Sequence, residues 1–319
     1  MVSLLPPCEI QPKIRTMNIL IIGAGAIGGL YGAMLSRAGH SVSVLCRSNY
    51  ETVKTKGFQI QSSWGDGSFH PDQVLRHPSE YEGTADIVML CTKVYLSIDW
   101  KTILKPVISS GTTILCLQNG IHIESPLVHA FPNQEIISGL AFVYSSQFVP
   151  GTITHTAYGR ILLGAYPSGE SKKGQDLVAS LKSVGVPASY RDHIQAARWE
   201  KLIWNASFNP LSVINGEHST LELLENPESR QRLEALMKEV LVLAEADGCA
   251  LDPSLVEKNI VNTEGMPAYD TSMLLDAKAK RPLESEAILG NAVRFAQSKG
   301  ILVPELKKAY EYLRQNFPG

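Results

Sequence analysis

The chain has 319 residues, enough for two domains and a sizeable core. With 44% hydrophobic residues and a formal net charge of -2, it lacks the electrostatic footprint of a nucleic-acid or anionic-membrane binder. No apolar run is long enough for a membrane span.

Residues 1–16 carry Pro6, Pro7 and Pro12 and only a short apolar stretch, Val2 to Leu5, so they read as a flexible extension rather than a signal peptide. Ile19 to Ile22 is four consecutive apolar residues, rich in β-branched side chains, as in a buried strand. The strand runs directly into Gly23-Ala24-Gly25-Ala26-Ile27-Gly28, and Leu30, Met34, Leu35 and Ala38 then recur at helical spacing. Strand, Gly-x-Gly-x-x-Gly turn and helix together predict a dinucleotide site. Gly23 permits the turn, Gly25 lets a pyrophosphate approach the backbone, and Gly28 lets helix and strand pack closely. The free amides of the helix N-terminus then hold the phosphate charge.

The second strand is Ser41 to Leu45. A unit that prefers NAD usually places Asp or Glu near this point to accept from the ribose 2′-hydroxyl. Here the residues are Cys46-Arg47-Ser48-Asn49. Arg47 suits a 2′-phosphate instead, which predicts NADP(H).

Further along, Gly57 to Leu75 alternates around Gly65-Asp66-Gly67, a hairpin signal. Ala85 to Lys93 is the next continuous buried strand, Leu96 to Leu104 a short helix, and Thr112 to Leu117 another strand, ending in Gln118-Asn119-Gly120. Ile136 to Tyr144 and Gly151 to Gly164 add two more. In open α/β sheets ligands bind beyond the carboxyl ends of the strands, where Lys93 and Asn119 fall. Cys46, Cys91 and Cys116 sit in strand-like runs and the cysteine count of five is odd, which fits reduced thiols in a cytoplasm.

From about Ile194 the pattern becomes helical. In Trp199 to Ile214, Lys201, Asn205 and Asn209 recur every four residues and share one face. Leu202, Ile203, Phe208 and Leu211 make core, and Pro210 is expected to kink the helix. Three polar residues in so apolar a helix are costly to bury unless they face a polar cleft. Asn226-Pro227 opens another helix with Leu233, Leu236, Met237, Val240 and Leu243 on its core face; Leu251 to Val261, Ser272 to Lys280, Leu283 to Ser298 and Val303 to Asn316 follow. Glu284 and Glu286 lie two residues apart and diverge by roughly 200° on a helix, so at most one faces a cleft. The expected fold class is therefore α/β, a Rossmann-type dinucleotide-binding domain at residues 17–192 followed by an all-helical domain at 193–319. Chemistry is expected in the cleft between them, with a hinge near Arg191 to His193. CxxC, HExxH and GxSxG motifs are absent and the eight histidines are scattered, so neither a metal site nor a serine triad is expected.

The glycine turn with its strand, Cys91-Thr92-Lys93, Gln118-Asn119-Gly120, the Trp199 to Ile214 segment, and Thr271-Ser272-Met273 followed by Leu283 to Ala292 resemble the ketopantoate reductase (2-dehydropantoate 2-reductase) family over nearly the whole chain after Met17. The resemblance implies NADPH-dependent reduction of the ketone of a small 2-oxo acid, ketopantoate, to pantoate by a cytoplasmic monomer or homodimer with no nucleic-acid or membrane partner. It implies that Gly23 to Gly28, Arg47, Lys93 and Asn119 serve the cofactor. Lys201 matches the catalytic lysine, Asn119, Asn205 and Asn209 the substrate-binding asparagines, Ser272 the carboxylate-contacting serine, and Glu284 the acid for the substrate hydroxyl. The segment after that acid usually reads like EIDALNG; here it reads ESEAILG, so Ser285, Glu286 and Leu289 depart from the pattern. A reductase of another 2-oxo acid or an opine-type substrate, or an NADP-sensing protein without activity, are the alternatives. A sensor would have no need of the Lys201, Asn205 and Asn209 stripe.

Overall fold

In a computed structural model, residues 15–95 and 98–317 are described. The extension expected at residues 1–16 lies outside them as far as residue 14, as do Leu96 and Ser97 of the helix expected from Leu96.

The first half alternates strand and helix: β1 (Asn18–Ile22), α1 (Ala26–Arg37), β2 (Ser41–Leu45), α2 (Tyr50–Lys56), β3 (Phe58–Ser62), β4 (Gly67–Phe69), β5 (Val74–Leu75), β6 (Ile87–Leu90), α3 (Trp100–Leu104), β7 (Thr113–Cys116), α4 (Ser125–Ala130), β8 (Ile136–Val149), β9 (Thr152–Ala165), α5 (Lys172–Ser183) and β10 (Ala188–Tyr190). They form one mixed sheet in the order β4-β3-β9-β8-β7-β6-β1-β2-β5, with β10 beside β9. The central strands β2, β1, β6, β7 and β8 are mutually parallel. They are covered on both faces, which is why β1 and β6 read as unbroken apolar runs rather than alternating ones. The expected hairpin at Gly65 to Gly67 joins β3 to β4.

The second half is helical: α6 (Ile194–Ile214), α7 (Thr220–Glu225), α8 (Pro227–Ala246), α9 (Leu255–Glu264), α10 (Ser272–Lys278), a π-helical turn (Glu286–Gly290), α11 (Asn291–Lys299) and α12 (Pro304–Asn316). Leu202, Ile203, Phe208 and Leu211 of α6 join Leu233, Leu236, Met237, Val240 and Leu243 of α8 in a single core. None of the described helices is long and apolar enough to cross a membrane.

Several boundaries differ from those expected, each for a local reason. The helix expected from Leu96 starts at Trp100, where the Asp99 side chain accepts from Thr102 N at 3.2 Å and caps it. That expected from Leu251 starts at Leu255, after Pro253. The helix expected through Lys280 stops at Lys278, and Lys280 takes a left-handed backbone conformation. The segment Leu283 to Ser298 is not one regular helix, because its first turn winds as a π-helix. Pro210 lies inside α6 without ending it; its missing N–H leaves the Ala206 carbonyl without its usual intrahelical donor. The helix α2 and the pair α5–β10 were not anticipated.

Candidate active site

The parallel register places the carboxyl ends of β1, β6 and β7 side by side, since Ile22 pairs with Leu90 and Leu90 with Cys116. The glycine turn, Lys93 and Asn119 follow those three ends directly, and so line one edge of the sheet. Gly28 is required there, because a Cβ on it would lie 2.5 Å from the Gly23 carbonyl. A Cβ on Gly25 would meet no protein atom within 4 Å, so the space over that residue is open. The first-turn amides of α1, at Ala26 and Ile27, have no carbonyl a turn earlier to donate to. An open cradle at a helix N-terminus fits the pyrophosphate of a dinucleotide.

Past the end of β2, Arg47 and Ser48 are exposed and no acidic residue follows the strand before Tyr50. Asn49 is buried, and its Nδ2 donates to the Ala24 carbonyl at 2.9 Å and to Gln147 Oε1 at 3.4 Å. That tie fixes the glycine turn to β8 and was missed in the sequence, where Asn49 was only the last of four polar or small residues.

Helix α6 crosses this edge from the helical side. Trp199 Nε1 donates to Asp247 Oδ2 at 2.7 Å, which fixes the rotation of the helix and turns Lys201 toward the sheet. Lys201 Nζ donates to Asn119 Oδ1 at 3.0 Å and to the Ala141 carbonyl at 2.6 Å. Asn119 Nδ2 donates in turn to Glu284 Oε2 at 3.4 Å. One amide thus presents its oxygen to the lysine and its nitrogen to the carboxylate. The Lys201 amine is pulled down to about 7, chiefly by burial and then by the nearby Arg198 cation, while Glu284 works the other way. Burial raises the Glu284 carboxyl above its ordinary range, against the opposing pull of Lys93 and the Asn119 hydrogen bond.

Asn205 lines a small cavity with Asn119, Lys201 and Arg198. Asn209 is buried one turn on, and its Oδ1 has no hydrogen-bond partner among the described residues. Ser272 is exposed at the first position of α10, where the cap is Thr271. Lys93 Nζ reaches Asp276 Oδ2 at 2.5 Å and the Pro282 carbonyl at 2.7 Å. Asp276 carries no signal in the sequence, because its partner Lys93 lies in the other half of the chain.

The departing residues point elsewhere. Glu286 accepts from Tyr310 OH at 2.7 Å and from Arg294 Nη1 at 2.8 Å. Leu289 is wholly buried in the helical core. The loop with Asn119 is seated on the π-helical turn, for Ile121 N donates to the Ala287 carbonyl at 3.1 Å. Gly120, at φ 106°, could not be replaced without strain, since a Cβ there would lie 2.4 Å from that same carbonyl. Among the described residues no three His, Cys, Asp or Glu side chains are grouped to hold a metal ion.

A dinucleotide cradle on a parallel sheet edge, faced by a helical half that carries a partly buried lysine and carboxylate, defines a two-part oxidoreductase. The profile described as Ketopantoate reductase PanE/ApbA matches residues 19–168, and that of its C-terminal part matches residues 193–316. The chain belongs to the ketopantoate reductase family. It is 34% identical over 304 residues to a 2-dehydropantoate 2-reductase of Nostoc sp., covering 92% of this chain and 93% of the relative. The crystal structure of 2-dehydropantoate 2-reductase from Methylococcus capsulatus superposes with a TM-score of 0.88 at 44% identity, covering 94% and 96% of the two chains. A D-mandelate dehydrogenase solved with NADH and anilino(oxo)acetate shares the fold, with a TM-score of 0.83 at 24% identity over 94% and 98%.

Proposed function

We propose that the protein reduces 2-dehydropantoate to pantoate with NADPH, and that residues 17–192 hold the cofactor while 193–319 supply the substrate-binding side chains. The observation that carries this reading is the Lys201–Asn119–Glu284 chain of hydrogen bonds where the two halves meet. Gly23 to Gly28 would hold the pyrophosphate and Arg47 the 2′-phosphate, with Lys93 and Asn119 beside the nicotinamide end. When bound, the cofactor supplies a hydride to the ketone carbon.

As that carbon is reduced, negative charge develops on the ketone oxygen. A proton donor placed there acts where the transition state differs most from the ground state. Lys201 in its ammonium form is that donor: it stabilises the developing oxyanion and passes a proton to it. A pKa near neutrality suits the task, since it leaves the acid populated at physiological pH and the transfer favourable. Glu284 accepts from the substrate's distal hydroxyl, Asn205 and Asn209 orient the substrate, and Ser272 meets its carboxylate. The relatives named 2-dehydropantoate 2-reductase support ketopantoate as substrate. So does the direction of Glu286 and Leu289, which leaves the family's Lys201 and Glu284 positions undisturbed.

A second reading, reduction of a 2-oxo acid with an aromatic side chain, draws support from Phe142. Its ring centroid lies 5.0 Å from Lys201 Nζ, and Tyr144 stacks on Tyr269 close by. Oxidation of NADPH with a panel containing ketopantoate, its analogue without the hydroxyl, and phenylpyruvate separates the two. Preferred turnover of ketopantoate is expected; preference for phenylpyruvate selects the second reading, and binding of NADPH without turnover of any member would leave a sensor.

A further inference from the structure

Arg198 precedes Lys201 by one turn of α6 and is buried, at 2% exposure. Its Nη1 donates to the Gln118 carbonyl at 2.9 Å and to the Gly120 carbonyl at 3.0 Å. Its Nε and Nη2 donate to Ser138 Oγ at 3.0 and 2.7 Å, and Nη2 also to the Gly139 carbonyl at 3.2 Å. The counter-ion is Glu124, with Oε1 2.8 Å from Nε and no exposure of its side chain; Ser138 Oγ donates to the same oxygen at 2.6 Å. A buried ion pair is weak evidence of stabilisation, because well-packed apolar residues of similar volume often serve as well or better. The partners of this one suggest a different purpose: the two carbonyls gripped by Nη1 flank Asn119.

We propose that Arg198 is a positioning residue for the reaction, which clamps the loop on both sides of Asn119, aims that amide at Lys201, and fixes a permanent cation one turn from the lysine. The inference rests on the reading of Lys201 as proton donor. Lys201 is faced by Arg198 from its own helix, by Glu284 from the segment before the π-helical turn, and from the sheet by the neutral Asn119 and Ala141 carbonyl. Lys93 and Asp276 act on Glu284, and Arg160 stacks on the Phe142 ring. Of these, Arg198 is the cation that works with burial to hold the Lys201 amine near neutrality. A guanidinium stays charged throughout the working pH range, so its influence does not titrate away. The planar fork is needed as well, since an ammonium offers no rigid pair of donors for two carbonyls and a hydroxyl at once.

Two variants separate fork from charge. Arg198→Lys keeps the charge and loses the fork. It should lower kcat roughly 10- to 100-fold, the scale set by a misplaced catalytic group. The Kd for NADPH and the titration of Lys201 should stay unchanged. The paired replacement Arg198→Met with Glu124→Gln removes both charges. It should raise the Lys201 midpoint by about one pH unit, read by NMR of 13Cε-labelled lysine and assigned by the signal missing in Lys201→Ala. The alkaline limb of kcat should rise with it. A kcat of wild-type size in Arg198→Lys overturns the clamp, whether or not the paired variant folds. A Lys201 midpoint that stays put in a folded paired variant overturns the charge. If the midpoint moves and the limb of kcat does not, the influence of the Arg198 charge on Lys201 stands, while the assignment of Lys201 as donor fails and with it the role of that charge in the reaction.

Discussion

Lys93 and Asp276, 183 residues apart, form an ion pair that ties the end of β6 to helix α10. Asp276 also accepts from Arg281 Nε at 2.8 Å, and Lys93 also donates to the Pro282 carbonyl. These contacts hold the segment leading into Glu284 against the sheet edge, so the pair contributes both to stability and to the closed arrangement of the site. The two side chains are only 27% and 12% exposed, so water screens them little. Asp276→Asn keeps the shape and removes the charge. It should cost about 1–3 kcal/mol, the range for charge-assisted hydrogen bonds, and lower the Tm by several degrees. An unchanged Tm at low ionic strength would show that the pair does not hold the halves together.

Arg47 is exposed at the end of β2 where an NAD-preferring chain carries an acid, and it tests cofactor choice. Arg47→Asp should weaken NADPH by roughly tenfold or more, since a charge-assisted phosphate pair is worth about 1.5–3 kcal/mol. The affinity for NADH should change little. Titrating both nucleotides into both proteins by fluorescence measures this. Equal affinity of the unaltered protein for NADPH and NADH would refute the assignment of Arg47.

Lys201 carries the pH dependence. In the proposed mechanism reduction consumes a proton from the ammonium, so kcat should be full below the lysine's pKa and fall as pH rises through about 7. Lys201→Ala should lower kcat and kcat/KM together by about 10²–10⁴-fold with NADPH binding nearly intact. A collapse of NADPH affinity with kcat preserved would assign the lysine to the cofactor instead. Stability should follow the opposite trend. A lysine in the unfolded chain titrates near 10.4, so between about 7 and about 10.4 the unfolded state binds more protons and unfolding free energy rises with pH. Below about 7 both states are charged and the penalty of burying the ammonium is fully present. Tm measured from pH 6 to 9, compared with that of Lys201→Ala, isolates this contribution.

How much of this was readable from the sequence follows from the range of the interactions. The glycine turn, the buried strands and the polar stripe of α6 are local patterns, and local chemistry writes them: φ requirements, apolar runs, spacing by four. Arg198 sits one turn before that stripe on the same helix, yet its proposed role depends on carbonyls of Gln118 and Gly120 some 80 residues earlier, and no spacing rule reaches that far. Asp276 is silent for the same reason, since its partner Lys93 belongs to the other half. Asn49 looked like a loop residue because its acceptor, the Ala24 carbonyl, is backbone and leaves no trace in the side-chain pattern. The π-helical turn was read as regular helix because apolar spacing in Glu286 to Gly290 is compatible with either winding. The turn is seated against Gly120 and Ile121, a tertiary contact that apolar spacing does not record.

The two glutamates of that segment give the sharpest test. Residues 284 and 286 cannot share a helix face, and they part accordingly. Glu284 lies just before the turn, where it meets Asn119 and where burial raises its carboxyl. Glu286 turns away to Tyr310 and Arg294. A buried acid that accepts from a substrate hydroxyl discriminates strongly against an analogue lacking it, because its oxygen is then left without a donor. Glu284→Ala should therefore narrow the preference in kcat/KM for ketopantoate over the 2-oxo acid of the same carbon skeleton without the hydroxyl. The narrowing should be roughly tenfold or more, the equivalent of one charge-assisted hydrogen bond. Glu286→Ala should leave that ratio unchanged and instead lower the Tm, since it leaves Arg294 and Tyr310 without their common acceptor. Steady-state kinetics with both acids, alongside thermal unfolding of both variants, measures the four outcomes. A changed ratio in Glu286→Ala with a silent Glu284→Ala would reverse the assignment of the two carboxylates. Equal turnover of both acids by the unaltered protein would mean that the site recognises no hydroxyl, and ketopantoate would not be its substrate.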